Sequence, residues 1–123
     1  MDTNPVDWFE IYVQDMDRAR KFYKLVLGVK LDVMKSPETE MCTFPMDANR
    51  PGATGALVRM EGVASGGNST IVYFLSKDCC IEQGRATEFG GSVHKGKLAI
   101  GKHGFISLVL DTEGNMFGLH SMK

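Results

Sequence analysis

The sequence predicts an α+β fold of two βαβββ modules, on three observations. Stretches of period-2 hydrophobic alternation, the mark of strands with two different faces, are interrupted twice by stretches at helical spacing. A run of glycine and small polar residues, EGVASGGN from Glu61 to Asn68, divides the chain near its middle. The order of elements before that run returns after it, and aligning Asp15 on Asp78 brings Gly28 onto Gly91. One domain over residues 1–123 is expected, with module one at about 5–60, a linker at 61–68 and module two at about 69–121.

The first module opens on WFEIYV, where Phe9, Ile11 and Val13 alternate with Trp8, Glu10 and Tyr12. Asp15 can cap a helix, because its carboxylate accepts the first free backbone amides, and Met16, Ala19, Phe22, Tyr23, Val26 and Leu27 follow at helical spacing. Gly28 closes that helix, since glycine enters the left-handed conformation without a steric penalty. VKLDVM then reads as a second strand, Ser36-Pro37-Glu38 as a turn, and MCTFPM from Met41 to Met46 as a short strand whose Pro45 marks an edge or an end. GALVRM, from Gly55 to Met60, is the fourth strand.

The second module repeats the pattern with a strand from Thr70 to Leu75, Asp78 as cap and a helix running to Phe89. Gly84 inside that helix costs about 1 kcal/mol against alanine, so packing by Cys79, Ala86 and Phe89 has to hold it. After Gly90-Gly91 come strands over Val93 to Leu98, Phe105 to Asp111 and Asn115 to Ser121, the last two joined by a tight turn around Thr112, Glu113 and Gly114. The glycine-rich linker is expected to be the most mobile internal segment.

Composition narrows the function. A formal net charge of -1 gives no electrostatic reason to expect nucleic acid or an anionic membrane as partner. Three cysteines, two of them adjacent at Cys79-Cys80, do not make a disulfide framework and predict reduced thiols in a cytoplasmic protein. MDTNPVD at the N-terminus has no basic and apolar leader pattern, and no apolar run approaches the roughly 20 residues that span a bilayer.

VQDMDRARKFYKLVLG in the first module and LDTEGNMFGLHS at the end of the second resemble the vicinal oxygen chelate superfamily, which holds glyoxalase I, the bleomycin resistance proteins and the extradiol dioxygenases. The best-matching pieces are Asp15-Met16-Asp17-Arg18-Ala19 with Phe22-Tyr23 and Gly28, and Asp111 with Glu113-Gly114-Asn115; the small lactoylglutathione lyase-related proteins are the most similar branch. The resemblance implies two curved sheets, each backed by its helix, around a shared cleft that binds a small molecule. Strand parity then assigns Trp8, Tyr12, Val72, Phe74, Phe105, Ser107 and Gly118 to substrate binding, with Ile71, Tyr73 and Leu75 behind. It leaves Ile106, Leu108 and Leu110 for the core and puts Glu10 and His120 in the cleft as acid and base. The bland alternatives are Glu10 at the rim, solvated or paired with Arg59, and His120 packed on Trp8 or Tyr12.

Metal-dependent members of the superfamily hold a divalent ion through four His or Glu side chains from the first, fourth, fifth and last strands. The resemblance lays those positions on Trp8, Val72 and Gly118, with no donor in GALVRM, and indole, isopropyl and hydrogen cannot coordinate. No metal cofactor is therefore expected. A shifted divalent site on Glu10 and His120 is the lesser alternative, because a catalytic zinc takes three protein ligands.

Two functions compete. One is a lyase or isomerase acting on an oxygenated small molecule by proton transfer between Glu10 and His120. The other is a binding or sequestering protein resembling the bleomycin resistance proteins, which need no metal and hold an aromatic or cationic ligand in the cleft. A homodimer is expected in either case, with Met41 to Pro45 and Leu57 to Met60 near sheet edges that a second copy could cover.

Overall fold

Strand β1 (Trp8–Tyr12) passes into helix α1 (Met16–Leu27) through Asp15, whose Oδ1 accepts the Arg18 amide at 3.0 Å. Gly28 ends the helix at φ 67° and returns its N–H to the Lys24 carbonyl, the left-handed closure expected of glycine there. The first module continues with β2 (Asp32–Lys35), β3 (Thr39–Thr43) and β4 (Thr54–Met60). The second runs β5 (Tyr73–Leu75), α2 (Cys79–Glu88), β6 (Ser92–Ala99), a 3-10 turn over Gly101–His103, β7 (Phe105–Leu110) and β8 (Met116–Ser121). This computed structural model describes residues 4–35 and 39–123, so the turn at Ser36-Pro37-Glu38 lies outside the described residues.

Each module forms a four-stranded mixed sheet, ordered β1-β4-β3-β2 and β5-β8-β7-β6. The pairs β1/β4 and β5/β8 are parallel and the others antiparallel. The edges are thus β1, β2, β5 and β6. Met41 to Thr43 and Leu57 to Met60, expected near edges, belong to the interior strands β3 and β4, and Pro45 falls beyond the end of β3, where its missing N–H costs no ladder bond.

One hydrophobic core joins the modules, drawing on Ile11, Val13 and Leu57 from the first sheet, Tyr23 and Val26 from α1, and Val109, Phe117 and Leu119 from the second sheet. Aromatic rings knit it together: Tyr23 lies 5.7 Å from Phe44 and 5.4 Å from Phe117 between centroids, and Phe74 lies 5.9 Å from Phe9. Matching Gly28 to Gly91 holds neither for helix length, since α1 has 12 residues and α2 has 10, nor for backbone role. The left-handed residue after α2 is Gly90, at φ 102°, whereas a Cβ on Gly91 would collide with the Leu110 carbonyl and the Phe22 ring. The missing side chain at Gly91 leaves room for the Phe22 ring of α1 and the Leu110 carbonyl of β7.

Two strands turn the opposite way from the parity assigned above. Register places Ser107 across from the buried Leu119 and Ile106 across from His120, so Ser107 faces α2, where it is fully buried and donates to Gln83 Oε1 at 2.8 Å. Likewise Phe74 pairs with Leu119 and enters the aromatic core, while Tyr73 and Leu75 share the outer face with Gly118 and His120. Both strands are apolar on either face, so alternation carried no information about direction. The Asp15/Asp78 alignment did carry it, because it lays Tyr73 on Glu10 and Leu75 on Tyr12.

The linker is pinned rather than free. Ser65 Oγ donates to the Glu113 carbonyl at 2.7 Å, the Gly66 amide donates to Asn115 Oδ1 at 2.6 Å, and Asn68 exchanges two bonds with the backbone of Met116. Hydrogen exchange should therefore show the Gly66 amide protected in the native protein and markedly faster in an Asn115→Ala variant. Equal rates in the two proteins would mean that this contact does not hold the linker. Among the described residues no helix is long and apolar enough to cross a membrane.

Candidate functional site

Residues two apart on a strand share a face, and this brings Trp8, Glu10 and Tyr12 into one row on the outer side of β1. The Glu10 carboxylate is clamped from both directions: Trp8 Nε1 donates to Oε2 at 3.2 Å and the Tyr12 hydroxyl donates to Oε1 at 3.0 Å. That bond to Glu10, with some burial, raises the Tyr12 phenol above its ordinary value. Among the described residues no cation forms an ion pair with Glu10; Arg59 instead stands across from Glu40 in the β3/β4 register.

Beside this row, between the modules, lies a cavity of about 390 Å³. Phe9, Tyr23, Val72 and Phe117 give it apolar walls, and Glu10, Tyr12, Asn68 and Asn115 bring polar groups to it. Its floor is braced by the β7–β8 turn. Asp111 accepts the Tyr23 hydroxyl at 2.7 Å and the backbone amides of Glu113 and Asn115 at 2.7 and 2.8 Å, while Asn115 Nδ2 reaches the Tyr12 carbonyl at 2.9 Å. Burial pushes the Asp111 carboxyl above its ordinary range against the pull of these bonds, and burial beside Asp111 lifts the Tyr23 phenol well above 10.

Glu113 works differently. Its carboxylate accepts Arg18 Nε at 2.6 Å and the amides of Asp15 and Gln14 at 2.9 and 3.0 Å, so the turn of module two caps the helix entrance of module one. Burial alone would raise its pKa, but the Arg18 bond and the two amides hold it at about 2 against an ordinary 4.5. Sequence reasoning reads Thr112 to Gly114 as a turn between two strands and Asp111 with Glu113-Gly114-Asn115 as a piece of the resemblance, but gives none of these side chains a partner. The signal was the spacing of three polar residues that a hairpin turn does not itself require.

Of the assigned substrate-binding residues, Tyr12 and Val72 line the cavity and Trp8 flanks Glu10 at its side. Phe74 and Ser107 do not, for the reasons of register given above. Phe105 packs against the core with Lys97 Nζ 4.6 Å from its ring centroid, and Gly118 is covered by the Tyr73 ring. Glu10 and His120 are not brought together. His120 lines a separate open groove with Tyr73, Leu75, Ile100 and Ile106, and its Nε2 donates to the His103 carbonyl at 2.6 Å. It therefore packs on neither Trp8 nor Tyr12.

The same geometry tests the superfamily's metal. Tyr73 overlies Gly118, Glu10 is engaged by two aromatic donors, and His120 lines another groove. Among the described residues no three His, Cys, Asp or Glu side chains converge as a ligand set. These residues do not fit a divalent metal between Glu10 and His120.

Comparison with known proteins agrees with the fold. Residues 6–44 match the family described as bleomycin resistance protein-like N-terminal. A glyoxalase I mutant from Zea mays superposes with a TM-score of 0.75 at 20% identity, covering 96% of this chain and 46% of that one. The chain thus spans about half the length of the maize enzyme. A glyoxylase/bleomycin resistance protein/dioxygenase domain from Frankia sp. EAN1pec gives 0.75 at 13% identity over 99% and 100% of the two chains. A superfamily member from Sphaerobacter thermophilus DSM 20745 gives 0.70 at 22% over 98% and 99%. No curated protein matches in sequence. The two-module fold is that of solved structures of the glyoxalase/bleomycin resistance/dioxygenase superfamily. The residues that match the bleomycin resistance protein-like N-terminal family run from just before β1 to just past β3.

Proposed function

We propose that the protein binds a small oxygenated or otherwise polar organic molecule in the cavity between its modules, as a binding protein that uses no metal. The observation that carries this reading is the cavity itself: about 390 Å³, apolar on most of its wall, with Glu10, Tyr12 and Asn115 converging on it. Acid and base chemistry shared by Glu10 and His120 finds no support within one chain, since they line different cavities. NMR titration with 2-phenylethanol and similar small aromatics should move the resonances of Val72 and Phe117, and Val72→Trp, which fills the space, should abolish the shifts. Shifts confined to the outer groove at His120, or unaffected by Val72→Trp, would refute the assignment.

A second copy of the chain is the proposed protein partner. Met34, Met60, Tyr73 and Leu75 are exposed on the sheets, Leu75 by 84%, and large apolar side chains left in water favour association. Sedimentation at micromolar concentration should give twice the 13.5 kDa chain mass, and a monomer there would count against it. The unpaired thiols of Cys42, Cys79 and Cys80 support a reducing, cytoplasmic location.

A further inference from the structure

We propose that the protein holds a second small molecule, a single-chain aliphatic amphiphile, in a cavity of about 740 Å³ between the end of α1, the loop after β3 and β5. Phe9 and Val72 are the wall it shares with the inter-module cavity, and the rest of its lining is distinct. Its floor is a cluster of three rings: Phe9 lies 5.7 Å from Phe44 and 5.9 Å from Phe74 between centroids, and Phe44 lies 5.5 Å from Phe74. Leu27, the last residue of α1, and Val29 add aliphatic walls. Exposure falls from 84% at Leu75 and 67% at Met46 to 6% at Phe44, so the floor is recessed below an apolar rim. Such a recess admits a flexible chain end-on, whereas the flat face of a second copy would rest on the rim and leave the floor unfilled. Among the described residues lining it, the charged side chains are Asp47 and Arg50, which pair with each other at 3.2 Å. Asp47 also accepts the Arg50 amide on its carbonyl at 3.1 Å and the Asn49 amide on Oδ1 at 3.0 Å, so this turn keeps both charges on one exposed loop. A solvated pair that presents both signs selects neither, which leaves the headgroup at the rim and the binding to chain burial. Met46, unbranched and flexible, can follow chains of different length.

The test is a titration with 1-hexanol, 1-octanol and octanoate, read by calorimetry and by methyl NMR. 1-Octanol should bind about fifteenfold more tightly than 1-hexanol, the gain from two more buried methylenes, and octanoate should bind within about threefold of 1-octanol. The Leu27 and Val29 methyls should shift, while the Met116 methyl in the inter-module cavity stays in place. Ala53→Trp, which puts a bulky ring at an exposed lining position, and Leu75→Asp, which puts a charge on the rim, should each weaken 1-octanol binding at least about tenfold with the circular dichroism of the wild type. Equal affinities for the two alcohols, or a larger gap between octanoate and 1-octanol, overturn selection by the chain. Shifts at Met116 in place of Leu27 and Val29 overturn the second site and leave the inter-module cavity assignment standing. Binding that survives both substitutions overturns it as well. So do Leu27 and Val29 shifts that grow with protein concentration in the absence of alcohol, because a second copy then covers the floor.

Discussion

Asp111→Ala should lower stability by about 4 kcal/mol. The carboxylate accepts the Tyr23 hydroxyl, the amides of Glu113 and Asn115, and Asn115 Nδ2, so its removal leaves four donors facing a dry space. Each buried group left without a partner costs about 1–3 kcal/mol, reduced where the backbone can relax toward water. Tyr23→Phe removes one donor and keeps the ring packed between Phe44 and Phe117, which bounds the contribution of that single bond at about 1–2 kcal/mol. Urea titrations with unchanged slope would measure both. A loss under 1 kcal/mol for Asp111→Ala would mean that the turn does not join the modules energetically.

Glu113→Gln should cost about 3 kcal/mol at pH 7, and the cost should vanish in acid. The native carboxyl titrates at about 2 against an ordinary 4.5, and its side chain is wholly buried, so little solvent screening discounts the difference. A depressed native pKa adds stability above the unfolded value. That contribution is complete above pH 4.5 and is lost as pH falls toward 2. Asp111, raised by burial, has the opposite slope, but it is present in both proteins and cancels in their difference. Denaturation of wild type and variant at pH 7, 4 and 2.5 should therefore show a gap that narrows stepwise. A gap independent of pH would assign the loss to shape rather than charge.

Both predictions concern a feature that was printed in the sequence but not readable from it. Tyr23 lies 88 positions from Asp111 and Glu113 lies 95 from Arg18, and no local pattern reports a partner at that range. Tyr23 was placed correctly on the buried face of α1, yet periodicity says only that a ring is inside, not what its hydroxyl meets. Glu10 shows the reverse. Its place among Trp8 and Tyr12 follows from strand alternation, so the clamp on its carboxylate is a short-range consequence of three residues on one face.

By itself the sequence determined the elements, their order and their punctuation. Asp15 and Asp78 start the helices and Gly28 closes the first because capping and left-handed backbone are decided within a few residues. It also determined the division into two modules, since repetition is visible in one dimension. Only the tertiary structure decided which way β5 and β7 face, that the linker is tied to the β7–β8 turn, and that Glu10 and His120 line different cavities. The physical reason is the same for all three: where a strand is apolar on both faces, or a polar group finds its partner far along the chain, the choice is made by packing and hydrogen-bond satisfaction between modules, and neither exists until the modules meet.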